Sequence, residues 1–268
     1  EGDYGFAVYE DSGKVSVYAY YGTDKNVTTP YKFNGTVVTE IFGGAFAHTS
    51  VVSVSVSEGV TFIGEGAFTG SQLLEKITLP STVTEINDGA FYGCPKLIDI
   101  KGTAGLKKVG GFAFNDTPWY DTISDEFAVI GDGILIKYGG AGGNVTIPEG
   151  VKCIVSAFRG KTDVTGIEFG SSVLAEIGYG SFDGCTGLHT VVIPDSVKKI
   201  GIGSFANCTS LEEVTLGSGV TEIGQSAFLS CDAIAKVKYT GSESDWEKLS
   251  IGEGNERLTE AKREYGAK

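Results

Sequence analysis

The sequence predicts a strand-dominated solenoid of the α/β class. Eight phenylalanines, each preceded by alanine or serine, recur at spacings of 22, 23, 23, 44, 24, 23 and 23 residues, and 44 is close to twice the unit. Each unit holds two short stretches of alternating apolar residues separated by Pro, Gly or Ser, which predict two short strands joined by turns. Glycine is abundant, at 40 of 268 residues, as many tight turns require. The phenylalanines are Phe46, Phe68, Phe91, Phe114, Phe158, Phe182, Phe205 and Phe228.

The repeat is clearest in three segments. Residues 211–231 read LEEVTLGSGVTEIGQSAFLSC, and close relatives of this string occupy 74–94 and 188–208. A unit of this size cannot bury its apolar face alone, so neighbouring units must stack into a continuous ladder of Leu, Ile, Val and Phe. The segment around each phenylalanine is too short for a full helix and predicts a turn or a single 3-10 turn.

The pattern LxxIxLPxxVxxIgxxAFxxC resembles the BspA-type, or Treponema-type, leucine-rich repeat. The resemblance covers residues 37–239 and implies a leucine-rich-repeat solenoid, a right-handed β/α superhelix with short 3-10 turns. Residues 1–36 resemble an N-terminal β-hairpin cap, and 240–268 a C-terminal helical cap, all within one continuous domain. Caps are also expected because open solenoid ends would expose apolar side chains and strand edges.

Both predicted caps carry local signals. Residues 4–21 alternate around the turn Asp11-Ser12-Gly13, which predicts a hairpin. Near the other end, Ser244 followed by Glu247 predicts a capping box that opens a short helix carrying Trp246 and Leu249.

Members of the resembled family are typically secreted or surface-attached bacterial proteins, several of them implicated in adhesion to host proteins. The resemblance therefore implies a non-enzymatic interaction or adhesion module, located outside the cell or on its surface. The implied partner is an extracellular protein of the host or of a neighbouring cell. The alternative is a structural spacer within a larger surface protein. The chain begins at Glu1 without a signal-peptide pattern, so we expect any targeting segment to lie outside it.

The charge balance argues against two classes of partner. The formal net charge is −13, and a surface this acidic repels nucleic-acid backbones and anionic membrane surfaces. No apolar run approaches the roughly 18 to 20 residues of a transmembrane helix, so no membrane insertion is expected. No cofactor-binding motif is apparent.

Four of the five cysteines occupy one position of the repeat, three residues after the phenylalanine. In-register parallel neighbours rarely meet disulfide geometry, and zinc sites favour paired CxxC ligands, so buried inert thiols are preferred over disulfides or a metal site. Cys153 differs, since it stands in a strand position where other units carry Glu85 or Glu222. The four are Cys94, Cys185, Cys208 and Cys231; other units carry Thr49, Ser71, Thr117 and Lys161 there.

No catalytic residue is assigned. The two histidines, His48 and His189, lie far apart in the repeat array, and neither has a nucleophile or carboxylate that the sequence places beside it. His189 falls on a repeat strand where its counterparts are Glu75 and Glu212, so a solvated position is expected.

The irregular double unit 115–158 is the most individual part of the chain. Residues 128–138 predict two strands around an Asp132-Gly133 turn. The preceding loop runs from Trp119 to Glu126 and is rich in aromatic and acidic residues. It is either a binding loop, with carboxylates able to hold Ca²⁺, or a variant coil whose aromatics fill the solenoid. Similar variants are familiar in the resembled family, which favours the second interpretation.

Binding is expected on the outward face of the LxxVxL strands. The first, fourth and sixth residues of this segment point inward, so the third and fifth form outward rows on one continuous face. The third-position row is Ser53, Lys76, Asp99, Gly166, Thr190, Glu213 and Lys236, and the fifth-position row is Ser55, Thr78, Lys101, Glu168, Val192, Thr215 and Lys238. Neither row has an aromatic residue, which favours a polar protein surface as partner over a sugar. The candidate binding residues are Lys76, Thr78, Asp99, Lys101, Thr190, Glu213, Thr215, Lys236 and Lys238.

Overall fold

A computed structural model describes residues 2–266, which fall into two compact units. The first runs up to Ser124 and includes Ile130–Asp132, and the second consists of Asp125–Val129 and the chain from Gly133. Each unit is a strand-dominated solenoid whose repeats pair in register. For example, Lys76 pairs with Ser53 and Asp99 with Lys76 in parallel strands. The strand-dominated repeat fold predicted from the sequence is therefore present in both.

The strands of the first unit form two sheets, named here after the repeat segment that supplies them. The VxxI sheet contains, in order, Tyr4–Val8, Val15–Tyr20, Thr36–Ile41, Phe62–Ile63, Glu85–Ile86 and Lys108–Val109, with Lys32–Phe33 paired to Thr36–Ile41. The LxxVxL sheet contains Asn26–Thr28, Ser53–Ser55, Lys76–Thr78 and Asp99–Lys101. A 3-10 helix at Thr103–Gly105 and an α-helix at Pro118–Asp121 complete the unit.

The second unit repeats this plan. Its VxxI sheet contains Phe127–Ile130, Ile134–Tyr138, Cys153–Ile154, Glu176–Ile177, Lys199–Ile200, Glu222–Ile223 and Ser250–Ile251. Its LxxVxL strands form a pair, Gly143–Ile147 and Val164–Phe169, and a four-stranded sheet, Thr190–Ile193, Glu213–Leu216, Lys236–Tyr239 and Lys262–Tyr265. Two short helices, Glu243–Trp246 and Glu256–Glu260, lie near the end of the chain.

The repeat phenylalanines form a stacked core in each unit, as the spacing predicted. All eight are at most 2% exposed, and adjacent rings within a unit stack at 4.9 to 5.7 Å between centroids. Tyr20 stacks on Phe46 at 5.3 Å, and Tyr138 on Phe158 at 4.7 Å. Tyr138 is the member of the series that the 44-residue gap conceals.

The segments around these phenylalanines form turns closed by hydrogen bonds between residues three apart, such as Ala67 N–H to the Gly64 carbonyl. The second residue after each repeat phenylalanine has a left-handed backbone, with φ between 55° and 74°. Left-handed φ is costly for most residues with a Cβ, and glycine, Asn and Asp tolerate it best. This position accounts for part of the high glycine content. It is filled by His48, Gly70, Gly93, Asp116, Gly160, Gly184, Asn207 and Ser230.

The four repeat cysteines are buried free thiols, as predicted. Each thiol donates a hydrogen bond to the carbonyl of the repeat phenylalanine in the previous coil, for example Cys94 to Phe68. The Sγ···O distances are 3.0 to 3.2 Å. Ser71 makes the same bond to Phe46 at 2.7 Å. In five of the eight repeats the position therefore carries a small side chain that donates to the previous coil, which the sequence pattern alone did not indicate.

The N-terminal hairpin is present. Tyr4–Val8 pairs antiparallel with Val15–Tyr20 around the turn at residues 9–14, and Val15–Tyr20 then pairs in parallel with Thr36–Ile41. The hairpin's second strand is thus also the first rung of the parallel ladder. A similar hairpin turn joins the adjacent strands Phe127–Ile130 and Ile134–Tyr138 of the second unit, as expected.

The C-terminal segment differs from the expected helical cap in two respects. Besides two short helices it contributes the strands Ser250–Ile251 and Lys262–Tyr265, which extend both ladders of the second unit. The capping box predicted at Ser244 is wrong, because Ser242 is the N-cap and accepts a hydrogen bond from Asp245 N–H at 3.2 Å. The helix keeps Trp246, whereas Leu249 follows its end. A serine spaced three residues from an acid occurs at both positions, so the pattern could not separate them.

Candidate interaction surfaces

The outward face of the second unit's LxxVxL sheet carries the predicted rows. Val214 and Leu216 are fully buried, whereas Glu213 and Thr215, which alternate with them along the strand, are half-buried. Lys236 and Lys238 lie beside them in register on the next strand, and Thr190 on the preceding strand is exposed. The alternation of the strand brings these five side chains onto one face. Val192, in the same row as Thr215, is 61% exposed and supplies an apolar element.

Ion pairs link the charged side chains of this face. Glu213 pairs with Lys238 at 2.6 Å and with Lys236 at 3.9 Å, and Lys236 also pairs with Glu264 at 2.8 Å. The hydrogen bond with Glu264 raises the pKa of Lys236, and the same bond lowers the pKa of the Glu264 carboxyl. Glu264 was missed by the sequence analysis because residues 262–265 were expected to belong to a helical cap. The strand Lys262–Tyr265 adds a fourth rung to this face.

The first unit carries a similar arrangement on its own LxxVxL sheet. Asp99 lies between two lysines, with Lys76 at 3.4 Å and Lys101 at 3.8 Å. Thr78 is half-buried beside them. In each unit a carboxylate at the third position is therefore held between two ammonium groups. The first unit's cluster carries one net positive charge, whereas Glu264 makes the second unit's cluster neutral. Exposed pairs of this kind are worth about 0 to 1 kcal/mol each, so their contribution to stability is small.

The segment from Trp119 to Glu126 is only partly a loop. Pro118–Asp121 is a short helix whose N-cap, Thr117, accepts a hydrogen bond from Tyr120 N–H at 3.2 Å. The ring of Trp119 packs on Phe114 at 4.9 Å between centroids, which supports the interpretation as a variant coil. The acids at 121, 125 and 126 are exposed, and burial raises the pKa of Tyr120 to about 12.

Neither a metal centre nor a catalytic constellation emerges from residues 2–266. No group of three or more His, Cys, Asp or Glu side chains in this range is arranged to hold a metal ion. His189 is exposed and its Nδ1 lies 2.8 Å from the Gly187 carbonyl oxygen, while His48 lies in the first unit. Cys153 pairs in register with Glu176, and burial raises the pKa of its thiol.

The structure also contains a groove that the sequence analysis missed. It lies in the first unit and has a volume of about 500 Å³. Its lining consists of turn residues and strand ends, so no contiguous motif announces it. The lining residues are Phe42, Gly43, Gly44, Phe62, Gly64, Glu65, Gly66, Thr69 and Asn87.

Solved structures of similar proteins are bacterial leucine-rich-repeat proteins. A leucine-rich cell surface protein from Faecalibacterium prausnitzii is 21% identical, with 93% of this chain and 96% of that chain covered and a TM-score of 0.41. The T. pallidum leucine-rich-repeat protein is 23% identical, with coverage of 87% and 88% and a TM-score of 0.42. A leucine-rich-repeat protein from Bacteroides ovatus is 20% identical, with coverage of 93% and 66% and a TM-score of 0.43. No curated protein matches this sequence.

The family comparison is more specific. The model of the BspA-type leucine-rich-repeat region matches residues 14–134 and 141–250 in six copies. These copies span both units and include the stacked phenylalanines, the donor position of the cysteines and the outward rows. The chain therefore belongs to the BspA-type leucine-rich-repeat family.

Proposed function

We propose that this protein is a non-enzymatic interaction module that binds a partner protein through the outward faces of its LxxVxL sheets. The observation that carries the proposal is the regular presentation of polar side chains from in-register strands whose alternate residues are buried. Such side chains are held by the core beneath them, so little order has to be gained on binding. The binding residues are Lys76, Thr78, Asp99 and Lys101 in the first unit and Thr190, Glu213, Thr215, Lys236 and Lys238 in the second.

The partner is an extracellular protein of a host or of a neighbouring cell, and the module works outside the cell or on its surface. Membership of a family whose members are typically surface-attached supports this location. No helix within residues 2–266 is long and apolar enough to cross a bilayer. The polar, mixed-charge character of the rows favours a polar protein surface, engaged over a large area. Charges at such a rim act mainly on association rate and on salt dependence.

The finer architecture belongs to the same proposal. The coils wind in the right-handed sense of the family, and both chain ends act as caps. The stacking of Tyr20 on Phe46 supports an N-terminal cap. The side chain of Asn255 supports a C-terminal one, because its Oδ1 accepts the Phe228 N–H bond at 3.0 Å. In other coils a backbone carbonyl of the next coil takes that bond, as Ala227 does for Phe205 at 2.8 Å.

A charge-reversal variant tests the proposed face. In the first unit the triple change Lys76→Glu, Asp99→Lys and Lys101→Glu keeps each ion pair while reversing its sign. We expect the free energy of unfolding to change by about 1 kcal/mol or less, and binding of a partner found by screening extracellular proteins to weaken at least about ten-fold, or 1.4 kcal/mol. Surface plasmon resonance at two salt concentrations measures both affinity and association rate.

The matched control reverses an ion pair on the other sheet of the same unit. Glu85 and Lys108 pair at 2.5 Å on the VxxI sheet, so Glu85→Lys with Lys108→Glu reverses an ion pair outside the proposed face and leaves the net charge unchanged. Binding lost in the control but kept in the triple variant would contradict the proposed face. Failure of the intact protein to bind any extracellular protein would favour the structural spacer.

A further inference from the structure

The groove of the first unit differs from the rest of the repeat array in its chemistry. Two phenylalanines reach it, and Phe42 is 48% exposed while Phe62 is half-buried. Gly43 and Gly64 also line it, and they lie so close together that a Cβ on Gly64 would come within 2.5 Å of the Gly43 nitrogen. Glycine at this place lets the backbones of two successive coils approach each other closely.

Three lining residues depart from the repeat, and all three meet here. Phe62 pairs in register with Glu40 and Glu85, so an aromatic ring stands in a row of charged side chains. Phe42 and Asn87 follow the buried strand-end residues Ile41 and Ile86, where the neighbouring coils carry Gly64 and Gly110. None of the three side chains is fully buried in the core, so these departures are not needed for stacking. Their convergence on one groove is therefore an observation independent of its shape.

The groove has a single formal charge, and it is negative. Of the nine lining residues, only Glu65 is ionisable, and it is exposed. Thr69 and Asn87 add neutral polar groups, although the Thr69 hydroxyl already donates to the Tyr92 carbonyl at 3.0 Å. With a formal net charge of −13 on the chain, the long-range field also favours a positive ligand over a negative one.

We propose that this groove binds the cationic side chain of an arginine or lysine within a basic segment of a partner protein. The phenylalanine rings attract the cation through their faces, and the carboxylate of Glu65 accepts its charge-assisted hydrogen bonds. The aliphatic stem of the bound side chain packs on the apolar wall. The site is separate from the LxxVxL face and goes beyond the function proposed above.

The test compares a peptide carrying arginine with the same peptide carrying citrulline, its neutral isostere. Acetyl-Gly-Ser-Arg-Ser-Gly-amide is titrated into the intact protein, and binding is followed by NMR shifts of the Gly43, Gly64 and Glu65 amides. We expect the citrulline peptide to bind at least about ten-fold more weakly, since it loses the charge. The lysine peptide should bind within about five-fold of the arginine peptide.

Two variants and a control locate the interaction. Glu65→Gln, at an exposed position, should weaken arginine-peptide binding at least about five-fold. Phe42→Leu keeps an apolar side chain without a ring and should weaken it about three-fold. Glu253→Gln is the matched control, because Glu253 follows Ile251 and Gly252 as Glu65 follows Ile63 and Gly64, in the second unit. It should leave binding unchanged.

Several outcomes would overturn the proposal. Equal binding of the arginine and citrulline peptides would point to a neutral ligand, such as a sugar, and would exclude a cation site. Unchanged binding in Glu65→Gln, or shifts confined to residues outside the groove, would place the peptide elsewhere. No shift with either cationic peptide at millimolar concentration would also count against it. Thermal unfolding of each variant confirms that the fold is retained.

Discussion

At the residue scale, burial governs the chemistry of the repeat thiols. Burial raises the pKa of Cys94 to about 11 and that of Cys185 to about 12, and the thiolate is the reactive form. Each thiol also donates to a backbone carbonyl, which favours the protonated state. These cysteines are therefore structural groups, and their reactivity depends on opening of the fold.

We expect a thiol reagent at pH 8 to label the four repeat cysteines slowly in native buffer and rapidly in denaturant. Mass spectrometry of peptides gives the rate at each site. Because the folded state holds the thiol protons of Cys94 and Cys185 more tightly, the free energy of unfolding should fall as pH rises above about 8.5, the ordinary pKa of a thiol. The decline should continue towards pH 11 and 12. Rapid native labelling at two or more of the four sites would contradict burial.

The aromatic stack makes a second prediction at this scale. Phe205 is fully buried between Phe182 at 5.0 Å and Phe228 at 5.2 Å. Phe205→Ala should lower the free energy of unfolding by about 3 to 5 kcal/mol, through lost burial and the cavity left behind. Chemical denaturation followed by circular dichroism measures the change.

Phe46 provides the comparison, since it is also sandwiched, between Tyr20 and Phe68. Phe46→Ala should lower the free energy of unfolding nearly as much as Phe205→Ala, although Phe46 lies near the start of the array. A near-neutral Phe46→Ala would mean that the first coil contributes little, and that Tyr20 does not extend the stack in solution.

At the element scale, the last coil depends on one side chain. Asn255 is 2% exposed, and its Nδ2 donates to the carbonyls of Gly224 at 2.9 Å and Gly252 at 2.7 Å, in addition to the bond from Phe228 N–H. It stands four residues after Ile251, where Ala227 stands four residues after Ile223. An amide side chain thus accepts the hydrogen bond that a backbone carbonyl accepts in other coils.

We expect Asn255→Ala to lower the free energy of unfolding by about 2 to 3 kcal/mol, because buried groups lose their partners. Hydrogen exchange should accelerate most at the Phe228 amide, as the end of the array opens locally. Asn255→Asp is the control, since it keeps the acceptor for Phe228 while losing both donated bonds. If exchange at Phe228 is unchanged in Asn255→Ala, the capping role of this side chain is wrong.

The sequence predicted those elements whose pattern repeats, and missed those that depend on a departure from it. The ladder strands, the stacked phenylalanines and the buried cysteines follow from spacing and alternation alone. Tyr20 and Tyr138 were missed because no Ala-Phe or Ser-Phe pair marks them. The strand Lys262–Tyr265 was missed because its residues, KREY, do not alternate clearly between apolar and polar. The alternation of the strands predicted the outward rows. Their ion pairs could not be predicted, because they depend on which residues the strand register places side by side.

The groove could not be predicted because its parts belong to three successive coils. Phe42, Phe62 and Asn87 acquire a common meaning only when stacking brings them together. In a single repeat each is an ordinary substitution at a position outside the buried core.

At the scale of the whole molecule, we expect the net charge to affect stability more than the surface ion pairs do. Each exposed pair is worth about 0 to 1 kcal/mol, whereas an excess of 13 negative charges destabilises the compact state by self-repulsion. Salt screens both effects. We therefore expect Tm to rise by a few degrees as NaCl is raised from about 20 to 300 mM, measured by differential scanning calorimetry. A fall in Tm would mean that the ion pairs of the two faces dominate.

The equal spacing of the stacked coils has a consequence for how such a chain can change in length. Phe182, Phe205 and Phe228 are 23 residues apart, and their rings stack at nearly the same distance, 5.0 and 5.2 Å. If one 23-residue period were removed, the backbone N–H groups of the remaining coils would again face carbonyls at equivalent positions. Tyr138, which stacks on Phe158, and Asn255, which bonds to Phe228, would be retained. Duplication of a period would do the same. Recombination between coding repeats can therefore lengthen or shorten the outward rows by whole repeats, without changing the residues at either end of the stack.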